Sequence, residues 1–435
     1  MKTIYEEYNT PYAEHIKNLN SKSPDTRLES IRQLAGALKR REMPLPPRGE
    51  DVNNHIHTIY SFSPYSPAKA VWMAYMSGLA TAGIMDHDTI RGSEEFRKAG
   101  NILGLPVTCG VECRVDFSKT PLNGRKLNNP DQDSIAYVAI HAVPPTQTRQ
   151  VENFFRSYIM ARNERNKKMV ERINELFMPY DVKLNYEKDI VPLSCLNNGG
   201  TLTERHILFA LSRALIQKFD KGGALIRFIE DNLGIKTSER IKEYLLDDEN
   251  PYYEYDLMGV LKSDLVPEFY INAREECPDV REIIKLSRET GAISAYAYLG
   301  DVEDSVTGDK RPQKFEDSYL DELFAVLVEL GFNAVTYMPS RNTLQQLMRV
   351  KTLCRQYGLM EISGEDINQP RQKFICDIMR NEEFANLRDT AWALIGNEIA
   401  ASRDLSNAMF SSKTVKLYPD LEERIKVYSK IGKSC

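Results

Sequence analysis

Residues 53–63 read NNHIHTIYSFS, and the fold turns on how this stretch is read. The chain holds only six histidines in 435 residues, yet His55 and His57 stand one residue apart here. Successive side chains of an extended strand point to opposite faces, so these two imidazoles project to the same side. Taken alone, the pair fits two readings: hydrogen-bonded structural histidines, or ligands of a cation.

Outward from this pair, short apolar runs of strand length each finish in ionisable or polar residues. ATAGIM leads into Asp86, His87 and Asp88, LPVTCGV into Glu112, and IAYVAI into His141. GAISAYAYLG leads into Asp301, and GLMEISG into Glu365 and Asp366. Helical stretches such as SPAKAVWMAYMSGLA and SYLDELFAVLVELG lie between several of them. In the second, Leu320, Leu323, Phe324 and Leu327 share one apolar face. Strands alternating with helices predict an α/β fold with a mostly parallel sheet or barrel. In a barrel, the residues just past the C-terminal strand ends converge on one face, where active sites sit. Four of the six histidines fall at such predicted ends beside carboxylates, which favours the metal reading over the structural one.

Around this barrel, residues 1–45 read as an N-terminal helical extension. Its SPDTRLESIRQLAGALKRRE segment places Leu28, Ile31, Leu34 and Leu38 at helical spacing after a Ser-Pro-Asp start. Residues 46–150 and 286–380 read as the two parts of the barrel, and 151–285 as a mostly helical, charged insertion. Residues 381–435 read as a helical segment and basic tail packed on the barrel exterior.

Composition narrows the function classes. With 42% hydrophobic and 27% charged residues the chain belongs to the globular class. Its net charge of -5 argues against a duplex-DNA binder relying on a broad positive field. No run approaches the roughly 20 apolar residues of a membrane span. MKTIYEEYNTPY is too charged for a signal peptide. Seven cysteines without paired spacings complete the expectation of a reducing, cytoplasmic compartment. Cys109 and Cys113, flanking GVE, read as buried thiols in preference to a disulfide or a zinc pair.

Neutral imidazoles and carboxylates are ligands for Mn, Zn or Fe. Paired ions roughly 3.5–4 Å apart clamp the attacking and leaving oxygens of a phosphoester and lower the pKa of water toward about 7. No GxSxG, Walker or Rossmann glycine pattern offers a covalent nucleophile or a nucleotide loop. Arg91, Arg114, Arg205 and Arg341 are candidates for a phosphate-binding rim. His206, in TLTERHILFAL, reads either as a core helix residue or as a phosphate contact beside Arg205, with the core reading slightly preferred.

NNHIHT, GIMDHDTIRG, GVE, YVAIH and SGEDIN, in that order, resemble the PHP (polymerase and histidinol phosphatase) superfamily. RNERNKKMVERINEL and ERHILFAL narrow the resemblance to its metal-dependent phosphoesterases of nucleoside 3′,5′-bisphosphates and short RNA 5′ ends. The resemblance implies a distorted (βα)7 barrel of the PHP type with a helical insertion, a barrel that holds up to three divalent ions, of which one or two are expected in this chain. It implies His55, His57, Glu112 and Asp366 as ligands of a first ion, with Glu112 bridging to a second that His141 also binds. His87 would belong to a third site, with Asp86 beside it as a supporting partner or proton acceptor, making these two the catalytic pair. The substrate would be a small phosphorylated molecule, a nucleotide or a short RNA 5′ end, with Arg91, Arg205 and His206 as its contacts. Phe62, Tyr298 and Asn368 stand where the family has further ligands, which raises the alternative of a degenerate PHP domain that binds a phosphorylated ligand without catalysis.

Overall fold

The computed structural model describes residues 11–302 and 313–434. The opening decapeptide, part of the expected helical extension and of the segment read as unlike a signal peptide, lies outside them. So does the last cysteine of the basic tail.

Seven strands form one sheet in chain order: β1 (Val52–Ile56), β2 (Thr81–His87), β3 (Val107–Asp116), β4 (Ile135–His141), β5 (Ile293–Ala297), β6 (Ala334–Tyr337) and β7 (Met360–Ser363). The sheet curls until its edges meet. Ile367 N donates to His55 O at 3.0 Å, and His57 N donates to Ile367 O at 2.9 Å. The result is a mixed α/β, nearly closed and distorted barrel. Closure depends on one glycine: a Cβ on Gly364 would stand 2.6 Å from His55 Cβ and 2.7 Å from His55 N. Only a residue without a side chain lets the end of β7 pass so close to β1.

β4 departs from the uniform βα pattern, running antiparallel to both β3 and β5 while the remaining neighbours are parallel. A parallel return needs a crossover, usually a helix. Residues 117–134 between β3 and β4 hold turns and no helix, so the chain folds straight back. β6 is the strand that the apolar runs did not single out. It has only four residues, AVTY, and no histidine or carboxylate closes it.

The helix Ala385–Arg403 packs against one end of the barrel. Ala393 and Leu394 share a buried cluster with Met85, Ala139, Ile293, Ala295 and Met360. Asn397 Nδ2 donates to Gly291 O at 2.8 Å, just before β5, and Glu398 accepts from Cys109 N at 2.6 Å in early β3. These polar groups satisfy strand ends that would otherwise be buried unpaired, which seals the end opposite the mouth. Cys109 and Cys113 are buried and form no disulfide.

The helix Pro24–Lys39 starts where Ser23 accepts from Thr26 N, and Leu28, Ile31, Leu34 and Leu38 are all buried. Arg27, also buried, reaches Glu95 through Nε at 2.8 Å, while Ala68 N donates to the same carboxylate at 3.0 Å. This pair fixes the N-terminal helix to the outer helices of the barrel.

By its contacts the chain divides into two compact units: the described parts of 1–156, 277–301 and 314–435, and those of 157–276 with 302–313. The second unit is helical, built from Glu204–Phe219, Glu239–Leu246, Tyr253–Phe269 and most of Thr148–Phe177. Inside it Arg162 and Arg165 both pair with the buried Glu276, and Arg165 also pairs with Glu204. No helix among the described residues is long and apolar enough to cross a membrane.

One buried acid gives the fold a pH dependence. Glu316 is buried, accepts from Leu299 N at 2.9 Å, and burial pushes its carboxyl up to about 7 from an ordinary 4.5. The folded state thus holds this proton more tightly than the unfolded chain. The stabilisation is full below pH 4.5 and is lost as pH rises through about 7. The shift corresponds to about 3 kcal/mol at most. Glu316→Gln is expected to remove that component, so its urea midpoint should overtake the wild-type value between pH 5 and 8. Parallel midpoints across that range would contradict this assignment.

Candidate metal centre

His55 is carried by β1, and His57 follows its last residue, where the chain bridges to Ile367. Glu112 lies within β3, in register with His87 at the end of β2. One nitrogen or oxygen from each of His55, His57 and Glu112 falls within 4.8 Å of the other two. Glu112 Oε1 is 3.7 Å from His55 Nε2, and its Oε2 is 3.9 Å from His57 Nε2 and 3.1 Å from His87 Nδ1. Asp366 completes the cluster, its Oδ1 at 3.1 Å from His57 Nε2. The His57 side chain is 1% exposed, whereas those of His87 and Asp366 are 23% and 33% exposed. The cluster therefore opens to solvent on the His87–Asp366 side.

Burial alone would raise the Glu112 carboxyl, but the His55 and His87 imidazoles outweigh it and hold the group well below the usual carboxylate range. Burial lowers His57 below its ordinary value, so its ring is neutral at pH 7. His55 is raised: the Glu112 carboxylate beside it overcomes the effect of burial. A concentrated negative site among imidazoles suits a divalent cation, whose binding would displace the proton that Glu112 favours on His55.

Asp86 sets the ring of His57. Its carboxylate accepts from Thr58 N at 2.7 Å, Thr58 Oγ1 at 2.6 Å and Ser61 Oγ at 2.6 Å. Ser61 has one proton and gives it to Asp86, so toward His57 Nδ1, 3.3 Å away, its oxygen can only accept. That assignment places the imidazole proton on Nδ1 and leaves the Nε2 lone pair facing Glu112 and Asp366. With the proton on Nδ1, this buried Nε2 lone pair faces the Asp366 carboxylate at 3.1 Å, two acceptors toward each other, an arrangement that costs free energy unless a cation lies between them. Asp86 thus acts through Thr58 and Ser61, with both of its oxygens engaged.

His141, the last residue of β4, lies beside the ligand cluster: its Nε2 is buried with no hydrogen-bond partner, and the charges of His55 and Glu112 act on its ring. Ala139 stands opposite Glu112 and Ile140 opposite Val111, so His141 falls further toward the N-terminal end of β3. Because β4 is antiparallel, its last residue leads away from the mouth that the parallel strand ends form. Burial lowers the His141 ring to about 3. Tyr137, four residues earlier on the same face of β4, sits at the mouth instead, its ring centroid 6.0 Å from that of His87. Its position follows from strand direction, which sets Tyr137 nearer the rim than His141 on the same face of β4. Ser61, four residues after His57, carried no signal of its own.

The expected rim scatters. Arg91 is exposed, pairs with Glu152 at 3.5 Å, and lines an outer cleft of about 760 Å³ with Glu94, Arg149 and Arg156. Arg114 is buried on β3, two residues past Glu112 on the same face and in register with Tyr137, and Arg341 Nε donates to Leu299 O at 3.3 Å. Arg205 and His206 belong to the second unit. There His206 is buried and its Nδ1 accepts from Thr203 N at 3.0 Å, closing a capping box. Burial lowers this ring to about 3. Of the three substituted positions, Phe62 is buried, Tyr298 donates to Asp317 at 2.6 Å, and Asn368 donates to Asp366.

No protein-family model matches the chain, and no curated protein matches it. Solved structures do. An assigned metal-dependent phosphoesterase from Bifidobacterium adolescentis aligns with a TM-score of 0.50 at 19% identity, over 77% of this chain and 94% of that one. An amidohydrolase from Chromobacterium violaceum, solved with sulfate and without metal, aligns at 0.49 and 14% identity, over 75% and 93%. The first likeness supports the distorted barrel fold.

Proposed function

We propose that the chain is a metal-dependent hydrolase that releases phosphate from a phosphomonoester of a nucleotide or another small phosphorylated substrate, a short RNA 5′ end included. One observation carries this reading: the buried His57 Nε2 converging with His55, Glu112 and Asp366 at a solvent-open barrel mouth. His55, His57, Glu112 and Asp366 would hold the ion, which supplies Lewis acidity and lowers the pKa of water toward about 7. Mn, Zn and Fe all suit imidazole and carboxylate donors. His87, partly exposed and hydrogen-bonded to Glu112, faces the open side and is placed to contact an incoming phosphate oxygen. Asp86 and Ser61 hold the His57 ring in its ligating tautomer. The test is a broad phosphoester panel with added Mn or Zn, with His57→Ala as the control. Turnover at least 100-fold above the control is expected, and equal rates would end the proposal.

A second reading has its own support. Asn368 spends its amide on Asp366, and the Tyr298 phenol is spent on Asp317, so two of the substituted positions are occupied by internal contacts. A barrel that binds a phosphorylated ligand without hydrolysing it would show thermal stabilisation by that ligand and no product.

A further inference from the structure

We propose that the cleft on the outer flank of the barrel binds a ligand of linked phosphate groups through Arg91, Arg149 and Arg156, apart from the metal centre. The inference stands without the hydrolase reading, because none of these residues belongs to the ligand cluster. The cleft, about 760 Å³, lies between the start of the helix Ser93–Leu103 and the start of Thr148–Phe177. That is room for a ligand of several linked groups. Arg91 forms one wall, four residues past His87 on the loop that leaves β2. Arg149 and Arg156 belong to the other. Seven residues apart, they share one face of their helix, two turns or about 10 Å from each other along its axis.

The chain as a whole carries a charge of -5, yet here cations are left over. Both carboxylates of the cleft are engaged: Glu94 accepts from Lys98 at 2.6 Å, and Glu152 faces Arg91 at 3.5 Å. Arg149 has no ion-pair or hydrogen-bond partner among the described residues, and Arg156 donates only to the Asn153 amide oxygen, at 2.8 Å. The long, partly exposed Arg91–Glu152 pair contributes little, so an incoming anion can share Arg91. Guanidinium forks match phosphate oxygens in bidentate fashion. Two of them set two helical turns apart, with a third opposite, match several linked anionic groups better than one. No aromatic side chain lines the cleft, so it offers a base no stacking platform, and its contacts are suited to phosphate oxygens. Two sources share this chemistry: a free polyphosphate, and the further phosphates of a substrate whose end occupies the mouth.

Full-length protein without added metal is titrated with tripolyphosphate and with orthophosphate by isothermal calorimetry. Tripolyphosphate should bind with one equivalent, at least 10-fold more tightly than orthophosphate. Arg91→Ala should weaken it at least 3-fold, and Arg149→Ala/Arg156→Ala, at exposed positions, at least 10-fold. Lys416→Ala/Lys426→Ala removes the same charge from exposed helical positions elsewhere and should leave the affinity unchanged, as should His57→Ala, with circular dichroism confirming each fold. No preference for tripolyphosphate overturns the inference, as does an affinity that survives the loss of Arg149 and Arg156. A loss shared by the lysine pair, or by a folded His57→Ala, overturns it equally. A second arm assigns the source. If Arg149→Ala/Arg156→Ala raises KM for a 5′-phosphorylated tetranucleotide at least 5-fold more than KM for a nucleoside monophosphate, the phosphates are the substrate's own; an unaltered ratio assigns the cleft to a free polyphosphate. Absence of turnover on either removes the hydrolase activity proposed above, and the tripolyphosphate titrations still decide the cleft.

Discussion

Glu112→Ala is expected to strip the metal from the barrel mouth and to lower phosphoester turnover by roughly 10³-fold or more. Glu112 is the carboxylate on which three imidazoles converge: His55 at 3.7 Å, His57 at 3.9 Å and His87 at 3.1 Å. Without it the three rings face one another around a space with no anionic donor except Asp366, which reaches only His57 at this distance. The cation then loses its central charge, and the loss of several kcal/mol of charge stabilisation corresponds to three or more powers of ten. Histidine behaviour supplies a second readout. The Glu112 carboxylate is what raises His55, so in the metal-free variant the His55 ring should titrate at lower pH than in the metal-free wild type. Proton NMR of the six histidines follows this directly. A Glu112→Ala protein that keeps a full equivalent of tightly bound Mn or Zn would falsify the metal centre itself.

Most of this centre was legible in the sequence because its parts lie at ends of apolar runs. His55 and His57 declare themselves by alternation, His87 and Glu112 by closing the runs ATAGIM and LPVTCGV, and Asp366 by following GLMEISG. What those runs could not disclose was strand direction. IAYVAIH reads the same whichever way it runs, and only the lack of a helix over 117–134 signals that it returns antiparallel. That single reversal sets Tyr137 further out than His141 on the same face of β4, with its ring 6.0 Å from that of His87. The rim arginines were illegible for another reason. A lone arginine has no periodicity, and its partner decides its role: Glu152 for Arg91, the Leu299 carbonyl for Arg341. The core helix residues, by contrast, followed from spacing alone: Leu320, Leu323, Phe324 and Leu327 are all buried.

Asp86→Ala should damage fold and site together, and the way it does so separates an orienting role from a proton-transfer role. Three hydrogen bonds converge on this buried carboxylate, from Thr58 N, Thr58 Oγ1 and Ser61 Oγ. Hydrogen bonds to a charged acceptor contribute about 1.5–3 kcal/mol each, so their joint loss is expected to cost about 5 kcal/mol of stability, near the top of the range for single substitutions. The chemical consequence is more specific. With Asp86 gone, the Ser61 hydroxyl is released to donate to His57 Nδ1, which favours the tautomer bearing its proton on Nε2, the atom that faces Glu112 and Asp366. Metal affinity should then fall by about 10- to 100-fold, as when other partners of metal-bound histidines are removed. Ser61→Ala isolates the second effect. It removes one hydroxyl, leaves Asp86 with Thr58, and should weaken metal binding while costing only about 1 kcal/mol of stability. Two-dimensional nitrogen–proton NMR of the metal-free wild type should show the His57 proton on Nδ1, and it should shift toward Nε2 in Asp86→Ala. If Asp86→Ala instead bound Mn or Zn with wild-type affinity and lost only turnover, Asp86 would be a direct participant in proton transfer, and the ordering of His57 through Ser61 would be irrelevant to the ion.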